Sequence, residues 1–419
     1  MTGRREPGRA GSAGGGPMRP WWAAAALVLL AAPASAGSMA GPRITVVADV
    51  QATALAAAVA VPGSAWELPG TEGLTLLSAS TLLEGIRPAL EELGARAAVR
   101  CDPAVFTFTL VAPRDAGQAA LEVFLDGLFR PAPDTAALER ARTRLESALE
   151  LDASSPAWQA RLAIRQALYG DTLSSGWLGP SCGDPATLGR LDLAAVRAGA
   201  RRFAPAMAHV AVITPGPTAP VRAMLEARVR RDPAPVIPAP RTRTSEFQYV
   251  RLPTVTAWNV VAFPFGPDAD VDALRLLGAV LADAIAPGVD RPASYTSSWE
   301  LLRHGAGGAL VIQGVSAPDA VYETLERVER VASEAAWSGI PGPVYERVRR
   351  RHRGDRLLEL AAPEARAVAM AVALAFGRTP APWPDLDVSQ ERLRAAARAL
   401  RPPARAVVGP PVARGDSMP

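Results

Sequence analysis

The chain repeats itself, and the repeat constrains its fold more than any other feature. In the first half a strand-like run, VFTFTLVAP (105–113), leads into the helical DAGQAALEVFLDGLF (115–129). A Pro-rich turn and a second helix, TAALERARTRLESALEL (135–151), follow. In the second half GALVIQGVSAP (308–318) leads into DAVYETLERVERVASEA (319–335), a turn, and the helix PVYERVRRRHRGDRLLEL (343–360). LERARTRL and YERVRRRH begin at residues 138 and 345, 207 apart. Upstream, ITVVADV (44–50) is matched with WNVVAFPF (258–265), each ahead of a long helical stretch. Between the halves RRDPAPVIPAPRTRTSE (230–246) shows no apolar periodicity and reads as a linker. A duplicated unit of apolar strands and 3.6-periodic helices predicts an α+β fold of two homologous domains, 41–229 and 247–412. Each is expected to be an antiparallel sheet with helices packed on one face.

Size and composition agree with this. The 419 residues exceed one ordinary core, and 49% hydrophobic residues suffice to fill two. The formal charge is +4, but there is no lysine and a single asparagine, Asn259, a bias toward Arg, Ala, Gly and Pro. Arginine is scattered rather than massed, apart from RVRRRHRG (347–354), which reads either as a basic face for phosphate or anionic lipid or as a solvated helix face. Nothing here points to nucleic acid.

The N-terminus has the form of an export signal. Arg19 supplies a positive start, Trp21 to Ala32 an apolar run, and Ala34-Ser35-Ala36 a small-x-small cleavage site. The run is shorter than the roughly 20 apolar residues a permanent span requires. Met18 is the expected true start, since residues 1–17 are Gly/Arg-rich, and the mature chain is expected to begin near Gly37 in a periplasmic or extracellular compartment.

Four segments, in order, resemble the pitrilysin/insulinase zinc metallopeptidases, including their mitochondrial-processing-peptidase relatives. They are GLTLLSAST (73–81), GDPATLGRLDLAAV (183–196), RRFAPAMAHVAVITPG (201–216) and AFPFGPDADVDALRLL (262–277). The resemblance spans most of 41–412. It implies an inverted zinc motif, H-x-x-E-H, on the first long helix, whose two histidines bind the metal while the glutamate acts as base on its water. Here Leu76 and Ser80 stand at the histidine positions and Ala79 at the glutamate position. Leucine offers zinc no lone pair, serine is a poor ligand at neutral pH, and alanine takes no proton. The chain's histidines, His209, His304 and His352, are too far apart in sequence to rebuild the motif. Glu146 or Glu150 falls near the family's third-ligand position, but a lone carboxylate does not hold zinc usefully. The residues therefore imply no zinc and no catalysis.

The family also places an Arg and a Tyr seven residues apart in its second half, where they hold substrate carbonyls. Tyr295 matches the tyrosine; the arginine position falls on Gly288, with Arg291 four residues before the tyrosine as a substitute. Read without the resemblance, Tyr295 is an edge aromatic and Arg291 a loop charge. Cys101 and Cys182 are the only cysteines, and in an oxidising compartment they either pair or remain separate buried thiols. The family layout puts Cys101 at the start of a strand beside the lost site, which favours pairing.

No nucleophile elbow, C-x-x-C, P-loop or dinucleotide fingerprint is present, and the glycine-rich GAGGAL (305–310) precedes a strand rather than a helix. Two functions are expected. One is a non-catalytic exported pseudopeptidase subunit that forms a heterodimer and a peptide-processing chamber with an active zinc metallopeptidase of the family. The other is a stand-alone peptide-binding or scaffolding protein of the envelope, using an exposed sheet edge.

Overall fold

The computed structural model describes residues 43–63, 67, 70–102, 104–170, 185–229, 247–287, 294–304, 307–383 and 385–411. These fall in one compact unit, Met39–Pro419. The expected leader (1–36) and linker (230–246), together with Arg291, Gly288 and Cys182, lie outside the described residues.

The first half runs β1 (Ile44–Ala48), β2 (Ala54–Pro62), α1 (Leu74–Glu92), β3 (Arg96–Cys101), β4 (Val105–Pro113), α2 (Gly117–Phe129), α3 (Thr135–Ala153), α4 (Pro156–Tyr169), α5 (Leu193–Ala200), β5 (His209–Thr214) and α6 (Thr218–Arg228). The second runs β6 (Phe247–Arg251), β7 (Ala257–Phe265), α7 (Val271–Ile285), β8 (Thr296–His304), β9 (Gly307–Ser316), α8 (Val321–Trp337), α9 (Gly342–Ala361), α10 (Pro363–Ala375), α11 (Gln390–Arg398) and β10 (Ala404–Gly409). The sheets have orders β1-β5-β2-β4-β3 and β6-β10-β7-β9-β8, the same topology twice. The duplicated α+β architecture is present as expected, with helix and strand limits close to those read from periodicity. Each sheet carries one parallel pair, β1 with β5 and β6 with β10, among antiparallel ones.

One correspondence differs from expectation. β1 matches β6, and β7 matches β2, with β2 and β7 beginning at residues 54 and 257. β2, ALAAAVAVP, carries little strand signal in its sequence, because alanine is a weak strand former and a strong helix former. Its composition has a packing reason. Leu55, Ala57, Val59 and Val61 face the core made with α1 and α2, while Ala56, Ala58 and Ala60 face Ala367, Met370 and Ala371 of α10. Period-2 alternation thus serves two faces, and small residues admit a helix close to the second.

That second helix belongs to the other half. α10 lies on β2, β4 and β5, and reciprocally α4 lies on β6, β7 and β10, where Ile164, Leu168 and Tyr169 are almost fully buried against Val260, Val311 and Val408. Each sheet therefore has its own half's helices on one face and one helix exchanged from the other half on the opposite face. Pro156 and Pro363 open the exchanged helices, and the residues before them, Ser155 and Ala362, are extended. A proline at the first helical position excludes the α conformation before it, so the preceding helix ends and the chain redirects. Arg366 of α10 also pairs with Asp49 beside β1.

Gly307 and Gly308 begin β9 where the chain crowds itself. Gly307 has φ 124°, and a Cβ on Gly308 would stand 2.0 Å from the Leu302 carbonyl oxygen. Only glycine fits both places.

Candidate functional site

α1 is the helix on which the motif positions fall. Its start is held from outside the helix: Glu67 accepts from the backbone N–H groups of Gly73 (2.9 Å) and Thr75 (2.7 Å). These donors have no intrahelical partner, so a carboxylate stabilises them. Burial nonetheless pushes the Glu67 carboxyl up from its ordinary value, the two N–H donors opposing.

From Leu74 to Glu84 every residue of α1 except Ser80 is buried, so the helix packs on two faces. Leu76, Ala79 and Leu83 belong to the sheet-facing core, and Leu77 to a second cluster with Leu138 of α3 and Val196 of α5. Ser78 donates to the Val196 carbonyl (3.2 Å), and Gly199 of α5 allows that approach because its Cβ would meet the Ser78 oxygen at 2.4 Å.

Leu76 is 6% exposed and Ala79 fully buried, both as packing residues, while Ser80 is half-buried. The donor set at these positions is one hydroxyl, which does not fit a zinc ion. Glu146 of α3 is half-buried and Glu150 exposed. Among the described residues no three His, Cys, Asp or Glu side chains gather as a metal site. The three histidines lie on β5, β8 and α9, and burial pushes each imidazole down to about 4, helped by Arg43 at His209 and by Arg356 and Arg275 at His352.

One turn beyond Ser80 the helix pair α1–α3 is joined by charge instead. Glu84, with 4% of its side chain exposed, accepts from Arg144 Nη1 at 2.6 Å and from Arg87 at 2.8 and 3.2 Å, with Arg140 at 3.7 Å. Its oxygens are occupied by guanidinium groups, so no buried base faces this part of α1. This cluster was not expected, although Arg140 and Arg144 at i, i+4 on α3 mark one helix face.

Tyr295 precedes β8, is 55% exposed, and donates its backbone N–H to Val315 O at 2.5 Å. Nothing described brings it to α1. Cys101 ends β3 rather than beginning a strand, because β3 pairs with β4 from Arg96 to Cys101 and the chain then turns. Its sulfur is in a disulfide.

Between the halves lies a cavity of about 900 Å³. Its walls include consecutive residues of β3 and of β8, the terminal strands of the two sheets. Each pairs with one neighbour only, so each presents a free backbone edge.

No protein-family model and no curated protein matches the chain, whereas solved structures do. It is similar to the peptidase M16 inactive domain from Pseudomonas fluorescens, with a TM-score of 0.72 and 18% identity, over 89% of this chain and 97% of that one. It is similar to a chain of complex III from Candida albicans, with a TM-score of 0.70 and 11% identity, over 87% and 93%. A protease from Helicobacter pylori gives a TM-score of 0.69 and 11% identity, over 88% and 96%. At these identities the likeness establishes architecture, and the chain has the two-sheet fold of the M16 peptidase inactive domain.

Proposed function

We propose that this chain is an exported, non-catalytic peptidase-like subunit that pairs with an active zinc metallopeptidase of the same fold and contributes wall and peptide-binding surface to its chamber. The observation that carries the reading is the filling of the motif positions: Leu76 and Ala79 are core residues on the helix where the chemistry would sit. Glu84, one turn further along the same helix, is held by arginines. The similarity to a structure described as an M16 inactive domain supports the same conclusion. Tyr295, exposed ahead of β8, is the residue proposed to hold substrate backbone, with Arg291 beside it in sequence.

The test is co-expression with an active zinc metallopeptidase of this fold from the same source. The expected result is a co-purifying heterodimer whose peptide hydrolysis exceeds that of the active chain alone. Failure to co-purify at micromolar concentration, or activity indifferent to this chain, would sink the reading. The free edges of β3 and β8 along one cavity favour a second reading, a stand-alone peptide binder that works by strand addition. Peptide binding without any partner would favour it.

A further inference from the structure

The cavity between β3 and β8 holds an excess of positive charge that the protein itself does not neutralise. The carboxylates on its wall each have an arginine of their own. Asp102 lies 3.4 Å from Arg100, Glu364 3.4 Å from Arg96, and Glu300 4.0 Å from Arg161. Glu359 pairs with Arg356. Three further arginines line the same cavity, Arg165 from α4, Arg275 from α7 and Arg303 from β8. Among the described residues Arg275 and Arg303 have no hydrogen bond and no carboxylate within ion-pair distance. The Arg303 guanidinium rests 3.9 Å from the centroid of the Phe376 ring, which engages one face of the group and leaves its N–H edge unused.

The charged groups around these two side chains are Arg356 and Arg378 on one side of the balance and Asp272 and Glu359 on the other. Four guanidinium groups thus face two carboxylates. One of the two, Asp272, has its carboxyl pushed up by burial, which weakens it further as a counter-ion. Burial and the neighbouring cations push Arg303 down to about 9, and it stays charged at neutral pH. A half-buried, unpaired guanidinium is costly to keep, and an anion that arrives with two acceptor oxygens offsets the cost by matching the planar fork.

The shape of the cavity narrows the anion to one carried by an extended chain. A free carboxylate needs far less than about 900 Å³, a volume at the upper end of the roughly 300–1,000 Å³ of small-ligand pockets. Two free strand edges run along the walls, and unpaired backbone N–H and C=O groups are what an extended peptide satisfies. We propose that the cavity binds an acidic peptide segment, with Arg275 and Arg303 as the counter-ions of a side-chain carboxylate and the free edge of β3 or β8 pairing with its backbone. This rests on the peptide-binding role above and names the substrate class for it.

The test measures fluorescence anisotropy on the full chain with two fluorescein-labelled, C-terminally amidated octapeptides that differ only by Glu in place of Gln. The Glu peptide is expected to bind at least tenfold tighter, with the difference shrinking as salt rises. Arg275→Gln and Arg303→Gln are each expected to reduce the Glu peptide to the affinity of the Gln peptide. Both variants should keep or raise the Tm, since each removes an unpaired cation. Equal binding of the two peptides, binding of neither, or variants that preserve the preference would overturn the proposal. So would full displacement by inorganic phosphate with no preference between the peptides, which marks a free-anion site. Co-purification of the unsubstituted chain with the active subunit is scored separately: pairing that persists while that chain shows no preference between the two peptides rejects the acidic-peptide site and leaves the subunit role standing.

Discussion

Arg144 Nη1 of α3 stands 2.6 Å from Glu84 Oε1 of α1, so an ion pair joins these two helices one turn past the motif positions. Glu84 is buried while Arg144 is 56% exposed, and the pair is asymmetric for that reason. Removing the carboxylate lets Arg140 and Arg144 turn to water; removing an arginine leaves a buried carboxylate short of a donor.

Glu84→Ala is expected to lower stability by about 1–2 kcal/mol, the exposure of its partners keeping the figure below that of a fully buried pair. Urea denaturation should show a lower midpoint with an unchanged slope. An unaltered midpoint would mean that α1 and α3 are held by apolar packing alone.

The exchange of α4 and α10 predicts that neither half folds well by itself. Residues 41–229 alone would leave Ile164, Leu168 and Tyr169 of α4 without the sheet that buries them, and the alanine face of β2 without α10. Each large side chain so exposed forfeits roughly 1.5–3 kcal/mol of burial. Each half expressed singly should aggregate or bind a hydrophobic dye, and the two together should reconstitute a soluble complex. A monodisperse, cooperatively unfolding first half would contradict this.

The buried histidines set a pH dependence. His209, His304 and His352 titrate near 4 in the folded chain, against an ordinary 6.5. Between those values the unfolded state binds more protons, so stability is full above about pH 6.5 and falls as pH drops toward 4. Each imidazole contributes on the order of 3 kcal/mol across that window. The urea midpoint should therefore decrease from pH 7.5 to pH 5, and His304→Gln should flatten the dependence. A midpoint that rises on acidification would reject the assignment.

Cys101 and Cys182 are proposed to pair, closing a loop of about 80 residues worth about 4 kcal/mol in the chain-entropy model. Unfolded, unreduced protein should take up no alkylating reagent, and reduction should lower the Tm. Two alkylated thiols without reduction would refute the pairing.

Much of the fold and little of the site can be read from the residues in order. Alternating apolar runs such as VFTFTLVAP and the 3.6-periodic stripes of α3 and α9 mark their own elements, because these periods are local backbone geometry. The duplication and the substitutions at 76, 79 and 80 are equally plain, since side-chain chemistry needs no coordinates to show that leucine and alanine cannot hold zinc or a proton. Three things required the folded chain. β2 is a strand although its alanines favour helix, because only packing between α10 and the core makes small residues an advantage there. The exchange of α4 and α10 joins segments about 100 to 300 residues apart, which no periodicity encodes. Glu84, Arg275 and Arg303 look like any other charges in the sequence. Burial, and the count of partners within reach, separates the carboxylate that has three arginines from the arginines that have no carboxylate.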